Sequence, residues 1–173
     1  MLVLAQWTTK RSPWILLGLS ALIIEVVALY FQYGMKLEPC IMCIYQRLGI
    51  IGIILAGFVT AIAPQLMLMR LVGFTTWAVS AIWGMMIAIE HVGIQTETDP
   101  FVFATCESVP NFPSWMPLHQ WIPDLFEARG DCGDINWRFF DYSMPQWMIV
   151  VFAVYTALFA TVFLVRLAAQ KKI

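Results

Sequence analysis

Charged residues are scarce in this sequence of 173 residues: Asp, Glu, Lys and Arg make up 12%, whereas 61% of the residues are hydrophobic. This composition excludes an ordinary soluble domain of this size, which needs a more polar surface. Four segments are apolar over the ~20 residues that a helix needs to cross a bilayer. They are Trp14–Tyr33, Cys43–Ile62, Leu71–Ile89 and Trp147–Val165. The sequence therefore predicts an all-α membrane protein, a bundle of four transmembrane helices.

The sequence also lacks the features of a cleaved leader and of a repeat protein. Lys10 and Arg11 precede the first span, as in a signal peptide, but this span is too long and has no small-residue cleavage site before Met35. We therefore interpret it as an uncleaved anchor. Since there is no internal repeat or low-complexity tract, we expect residues 1–173 to form a single integral membrane domain. We expect no nucleic-acid partner.

Basic residues predict the orientation of the spans. Most of them fall near the N-terminus, in the connection after the second span, or near the C-terminus: Lys10, Arg11, Arg70, Arg166, Lys171 and Lys172. The positive-inside rule predicts that these three segments are cytoplasmic. The loops at residues 34–42 and 90–146 would then face outward, and they hold every acidic residue except Glu25.

The second outward loop carries six of the nine prolines of the chain, so we expect it to be mostly irregular. Residues 115–126 within it are rich in aromatic and aliphatic side chains but are interrupted by proline. Two interpretations fit this segment. It forms short helical turns on the membrane surface, or it folds onto the outer ends of the bundle.

All four cysteines fall on the predicted outward side: Cys40, Cys43, Cys106 and Cys132. An even number in this location favours disulfides, and among three possible pairings Cys40–Cys43 with Cys106–Cys132 closes each loop on itself. A purely structural bond remains an alternative for the second pair. For the first pair we favour redox activity, because so short a loop removes little unfolded-state entropy. A second close pair, as structural zinc sites have, is missing, so we expect no metal.

Three further polar residues lie in or beside the spans near these cysteines. Arg47 is four residues after Cys43, so both project from one face of a helix, where the guanidinium favours the thiolate. The alternative is an arginine that reaches lipid headgroups. His91 ends the third predicted span and could bind a quinone carbonyl or move a proton, or could be merely interfacial. Glu25 is an intramembrane carboxylate, either functional or simply hydrogen-bonded to a neighbouring helix.

The most distinctive segments are Pro39–Arg47 (Pro-Cys-Ile-Met-Cys-Ile-Tyr-Gln-Arg), Phe103–Cys106, Gly130–Cys132 and Met144–Trp147. With the four spans, they resemble the disulfide bond formation protein B (DsbB) family over nearly the whole chain. These bacterial inner-membrane enzymes reoxidise the periplasmic thiol oxidase DsbA and pass the electrons to quinone. The resemblance implies an inner-membrane protein with both termini in the cytoplasm and the cysteine loops in the periplasm.

The resemblance also implies a role for each cysteine. Cys106 would receive the attack of the reduced DsbA-like partner and form the mixed disulfide. Cys132 would then exchange with Cys40, and Cys43, stabilised by Arg47, would react with ubiquinone, or with menaquinone when oxygen is scarce. The expected catalytic residues are thus these four cysteines and Arg47.

His91 would line the quinone pocket with Cys43 and Arg47. One departure from the family pattern is Gln46, where glutamate is expected, so the sequence does not support a role for a carboxylate beside Arg47. Two alternatives stay open on the sequence. They are a vitamin K epoxide reductase-like enzyme, which also combines four helices with a CxxC motif, and a non-catalytic membrane scaffold with structural loop disulfides.

Overall fold

The computed structural model describes residues 8–96 and 109–170, with side chains as far as residue 168. Four of its helices are long and apolar enough to cross a membrane. They are α1 (Arg11–Leu29), which continues through a π-helical turn at Tyr30–Gly34, α2 (Ile41–Ile62), α3 (Met67–Thr96) and α6 (Met144–Gln170). The predicted fold class, an all-α four-helix membrane protein, is confirmed.

The outer loop contributes short elements between α3 and α6. They are two helical turns, α4 (Leu118–Trp121) and α5 (Pro123–Phe126), and an antiparallel pair of strands, β1 (Arg138–Phe139) and β2 (Tyr142–Ser143). The strand pair was not predicted. The turn between the strands places Phe140 and Asp141 at φ 51° and 64°, the left-handed conformation that tight hairpin turns require. The turn contains no glycine, the residue that would have indicated this conformation in the sequence.

All four membrane helices extend beyond the predicted spans, and the extensions of α3 and α2 position residues of the site. Helix α3 continues past Ile89 to Thr96, so His91 lies within the helix and does not end it. Helix α2 begins at Ile41, because Cys40 is its N-cap and accepts a hydrogen bond from the backbone N–H of Cys43 (3.3 Å). Hydropathy detects only the apolar part of a helix, whereas capping and continued backbone hydrogen bonding set its real ends.

The four long helices pack in sequence order, with α1 against α2, α2 against α3, and α3 against α6. Their shared core includes Trp14, Ile53, Ala81 and Phe152, all buried. The Tyr155 hydroxyl of α6 lies 3.0 Å from the Ser20 hydroxyl of α1, which closes the bundle between its first and last helices.

Helices α1 and α2 approach closely at two glycines. A Cβ on Gly57 would lie 2.5 Å from the backbone nitrogen of Gly18. Small residues at such contacts let membrane helices pack backbone to backbone. Because the neighbouring atom belongs to the backbone, no side-chain rotation could relieve the clash.

Replacing Gly57 by alanine should therefore destabilise the bundle, by about 1–3 kcal/mol if it behaves like other overpacked sites. The measurement is thermal unfolding of the purified protein in detergent. Gly93→Ala is the matched control, because Gly93 also lies in a membrane helix but a Cβ there meets nothing within 4 Å. Equal unfolding midpoints for the two variants would contradict the close approach.

The outer loop folds onto the ends of α1 and α2. The Asp124 carbonyl accepts hydrogen bonds from Gln32 (2.8 Å) and from the Tyr33 hydroxyl (2.7 Å), and Phe126 is buried. Trp115 and Trp121, in contrast, are largely exposed. Both interpretations of residues 115–126 thus hold in part, since the segment forms helical turns and one of them packs on the bundle. Contact of the two tryptophans with a membrane surface stays a prediction.

Candidate functional site

Cys40 and Cys43 form a dithiol at the start of α2. Both are free thiols, and their Sγ atoms lie 2.8 Å apart. The hydrogen bond to Cys43, with burial as the second cause, raises the pKa of the Cys40 thiol. The Cys40 thiol therefore loses its proton less readily than an ordinary cysteine, and either sulfur can donate the hydrogen bond that joins the pair. The predicted Cys40–Cys43 bond would be the oxidised form of this pair.

His91 connects this dithiol to the outer loop. Its Nε2 lies 3.1 Å from the Cys132 carbonyl oxygen and 3.6 Å from Cys40 Sγ. A carbonyl oxygen only accepts, so Nε2 carries the ring proton. In the neutral ring Nδ1 is then an acceptor, and it lies 3.1 Å from Nε2 of Gln46, which donates to it. The imidazole is thus held with its N–H toward Cys132 and Cys40.

Gln46 fixes this protonation pattern, because an amide can donate to Nδ1 and a carboxylate cannot. In a Gln46→Glu variant, the carboxylate would accept a hydrogen bond from Nδ1 while the Cys132 carbonyl still accepts one from Nε2. Both ring nitrogens would then carry a proton, so His91 should become an imidazolium at neutral pH. Nitrogen NMR shifts of His91 report this directly. The unaltered protein should give a neutral Nε2–H ring. Gln46→Leu is the control and should leave the ring neutral; a neutral ring in the glutamate variant would contradict the assignment.

Arg47 is buried inside the bundle and does not reach lipid headgroups. Its Nε lies 2.9 Å from Oε1 of Glu25, Nη1 donates to the Leu125 carbonyl (2.6 Å), and Nη2 donates to Oε1 of Gln32 (2.9 Å). Helix α1 and the turn α5 thus hold the guanidinium from two sides. The carboxylate beside Arg47, which position 46 does not provide, comes from Glu25 on α1. Glu25 is therefore bonded to a neighbouring helix as an ion-pair partner.

A cavity of about 300 Å³ opens between α1, α2 and the start of α6. Its walls are mostly apolar, and its polar lining includes Glu25, Cys43, Gln46, Arg47 and His91. The space and the apolar walls suit a flat, lipid-soluble ring compound, and the guanidinium has further N–H donors beyond its three contacts for a carbonyl oxygen. Both ring nitrogens of His91 already have partners, so His91 would contribute a wall and no new hydrogen bond.

A smaller cavity of about 60 Å³ adjoins the larger one at the dithiol and shares lining residues with it. Cys40, Cys43 and His91 line it together with loop residues that include Asp131 and Asp134. Cys43 and His91 line both cavities, whereas Cys40 lines only the smaller one. Among the described cysteines, Cys43 is therefore the one that lines both the cavity beside the loop and the apolar cavity.

The loop around Cys132 is fastened to the segment that precedes Cys40. The backbone N–H groups of Arg129 and Gly130 both donate to the Pro39 carbonyl (3.0 and 3.1 Å). Cys132 itself is fully buried, is disulfide-bonded, and packs in one cluster with Cys40. Cys106 lies outside the described residues, so its predicted pairing with Cys132 stays a prediction.

The arrangement does not complete a metal site within the described part of the chain. Ligand atoms of Cys40, Cys43 and His91 lie within 4.8 Å of one another. Structural zinc sites use four such ligands, however, and the His91 nitrogen nearest the sulfurs carries a proton that it donates to a carbonyl. The residues fit a dithiol with a neighbouring proton donor better than a bound cation.

Gln32 and the Leu125 carbonyl both hold Arg47 but were not predicted from the sequence. Gln32 lies in the π-helical turn that continues α1, seven residues after Glu25, and this spacing of about two helical turns was a detectable signal. The Leu125 contact carried no signal, because a backbone carbonyl is present at every residue.

A dithiol that begins a membrane helix, beside a buried arginine and an apolar cavity, defines a membrane thiol oxidoreductase. Comparison with known proteins agrees with this class. The family model "Disulfide bond formation protein DsbB" matches residues 10–162. The chain therefore belongs to the DsbB family of disulfide bond formation proteins, which makes it a disulfide-forming oxidoreductase.

Its similarity to individual members extends over nearly the whole chain. It is 53% identical to disulfide bond formation protein B of Pseudoalteromonas atlantica over 173 residues, covering 100% of both chains. The proteins of the same description from Pseudoalteromonas translucida and Psychromonas ingrahamii are 51% and 50% identical. These two matches cover 89% and 91% of this chain and 89% and 84% of the relatives.

Proposed function

We propose that this protein reoxidises a periplasmic DsbA-type thiol oxidase and passes the electrons through two cysteine pairs to ubiquinone, with menaquinone as a possible substitute. The observation that carries the proposal is the position of Cys43. It contacts Cys40 on one side and lines the 300 Å³ apolar cavity, together with Arg47, on the other. A thiolate there is accessible both to a sulfur and to a lipid-soluble oxidant.

The relay begins in the outer loop. The partner's thiolate attacks Cys106 in the Cys106–Cys132 disulfide, which forms a mixed disulfide and releases Cys132. A second partner thiol then resolves the mixed disulfide, and the reduced Cys106–Cys132 pair exchanges with the Cys40–Cys43 disulfide. Support comes from the packing of Cys132 and Cys40 in one buried cluster and from the two hydrogen bonds that hold this loop to Pro39.

His91 assists the exchange at Cys40. Its Nε2–H faces Cys40 Sγ at 3.6 Å, so it can stabilise negative charge on that sulfur as the thiol loses its proton. The sequence resemblance assigned His91 to the quinone pocket, and it does line the larger cavity. Because both ring nitrogens of His91 have protein partners, we propose that its N–H acts on Cys40 and does not bind the quinone.

Arg47 stabilises negative charge on the side of the site where the quinone would bind. A quinone bound in the cavity would supply an acceptor for two electrons and two protons. Arg47 stabilises the Cys43 thiolate and presents N–H groups to the cavity, while the apolar walls exclude water. Its contacts to Gln32 and to the Leu125 carbonyl fix it in place before any substrate arrives.

We also propose that the chain is a single domain in the bacterial inner membrane, with both termini in the cytoplasm and the cysteine loops in the periplasm. The distribution of Lys and Arg supports this orientation. An oxidising compartment on the loop side is what a disulfide-bonded Cys132 requires.

Covalent capture tests the relay. A DsbA variant that lacks its second cysteine should form a stable mixed disulfide with the purified protein, detected as a shifted band on a non-reducing gel. Cys106→Ser should abolish the band, and in the complex captured with the unaltered protein Cys132 should be a free thiol that can be alkylated, since Cys106 is attacked and Cys132 is the leaving group. Capture that persists in the Cys106 variant, or that fails in the unaltered protein, would overturn the assigned entry point.

A further inference from the structure

The larger cavity contains more groups that can be anionic than cations to neutralise them. Its titratable and charged lining residues are Glu25, Glu38, Cys43, Arg47 and His91. Helix α1 contributes Glu25, α2 contributes Cys43 and Arg47, α3 contributes His91, and the lining residues from α6 carry no charge. Arg47 is the only permanent cation among these lining residues, because His91 is neutral in its present contacts.

Glu25 and Cys43 therefore compete for one positive charge. Glu38 is exposed and can be neutralised by solvent, whereas the side chains of Glu25 and Arg47 are only 8% and 7% exposed. A carboxylate and a thiolate beside a single guanidinium would leave one buried negative charge unpaired, which is strongly unfavourable in a low-dielectric site. Only one of the two groups can be anionic at little cost.

The contacts of Arg47 allow the negative charge to move between these groups while the arginine stays fixed. Two of its contacts, to the Leu125 carbonyl and to Gln32, are to neutral oxygens and do not depend on the charge of Glu25. The contact to Glu25 is an ion pair without hydrogen-bond alignment, since Oε1 of Glu25 is buried and has no hydrogen-bond partner. Protonating this carboxylate breaks no hydrogen bond of Arg47.

We infer that Glu25 takes up the proton that Cys43 releases when it becomes a thiolate, so that the negative charge moves from the carboxylate to the sulfur beside a stationary Arg47. The inference rests on the proposed function, in which Cys43 must become a thiolate next to an apolar cavity. It assigns to Glu25 the role of a proton carrier for the dithiol.

The reaction balances with the quinone as the oxidant. Cys40 and Cys43 together lose two protons and two electrons and form one S–S bond. The Cys43 proton passes through Glu25, the Cys40 proton leaves on the side of His91, and the quinone takes up both protons and both electrons to leave as quinol. Glu25 ends as the carboxylate that it was at the start, paired again with Arg47.

The test measures the Cys43 thiolate without quinone or partner protein. In a Cys40→Ser background, the thiolate fraction at neutral pH is followed by its ultraviolet absorbance and by the rate of alkylation. Adding Glu25→Gln should raise the thiolate-to-thiol ratio about tenfold or more, because Arg47 then has no competing anion. Glu38→Gln is the matched control and should change the ratio little, since that carboxylate is exposed. An unchanged ratio in the Glu25 variant would overturn the inference.

A second readout keeps Glu25 in place and so does not depend on how well its variant folds. Infrared spectra of the Cys40→Ser protein should contain the C=O band of a protonated carboxylic acid in proportion to the thiolate. This band should vanish when Cys43 is also replaced by serine. A measurable thiolate without the band would contradict the inference. If the unaltered protein fails to reduce quinone with reduced DsbA, the proposed function fails instead, whatever these spectra contain.

Discussion

Replacing Cys43 by serine should reduce quinone turnover with reduced DsbA to the uncatalysed background. A hydroxyl cannot form a disulfide with Cys40, and the substitution removes the only described cysteine that lines the apolar cavity. No other described cysteine can substitute, because Cys40 lines only the smaller cavity and Cys132 is buried in the loop cluster. The measurement is the loss of quinone absorbance in detergent after addition of reduced DsbA.

Partner capture provides the internal control for that variant. Attack on Cys106 does not involve Cys43, so the Cys43→Ser protein should still form the mixed disulfide with the DsbA variant that lacks its second cysteine. Loss of capture would indicate a folding defect and would require the turnover result to be discounted. Turnover that persists in a folded Cys43→Ser protein would contradict the assignment of Cys43.

Replacing Arg47 by methionine should destabilise the protein by about 3–5 kcal/mol, as removal of one partner of a buried ion pair does elsewhere. The substitution leaves Glu25 without its cation and leaves the Leu125 carbonyl and Gln32 without their donor. The measurement is the free energy of unfolding in detergent. Combining Arg47→Met with Glu25→Gln should recover a large part of the loss, because the unpaired charge is then absent.

An exposed ion pair in the same loop system is the matched control. Arg129 and Glu127 lie 2.6 Å apart, but their side chains are 57% and 47% exposed, so solvent screens their attraction. Arg129→Gln should therefore leave the unfolding free energy almost unchanged. If Arg47→Met were as mild as Arg129→Gln, or if the double variant were no better than the single one, Glu25 could not be the buried partner of Arg47.

The sequence predicted the parts of the fold that depend on local composition. Apolar length identified all four membrane helices, and proline content predicted the irregular outer loop. The helix ends were less predictable. Helix α3 continues through Glu90 and His91 because its backbone hydrogen bonds continue there, and hydropathy does not measure these bonds. The β1–β2 turn, with two non-glycine residues in a left-handed conformation, has no reliable sequence signal.

The residues that form the site were easier to predict from the sequence than the contacts between them. The CxxC motif and Arg47 were found from spacing, and His91 from its position at the outward end of a predicted span. The structure brings Cys43, Arg47 and His91 together with Gln46 and Glu25 around one cavity. Which helix supplies the carboxylate beside Arg47 depends on the rotation of α1 against α2, and one sequence does not encode that rotation in any short pattern. One partner of His91 was equally hidden, because it is the backbone carbonyl of Cys132.

The most direct test of the electron relay is a count of its products in a single turnover. Purified protein, one equivalent of reduced DsbA and excess ubiquinone are mixed, and quinol and DsbA disulfide are both quantified. We expect one quinol for each disulfide made in DsbA. Disulfide formation in DsbA without a matching quantity of quinol would contradict the relay.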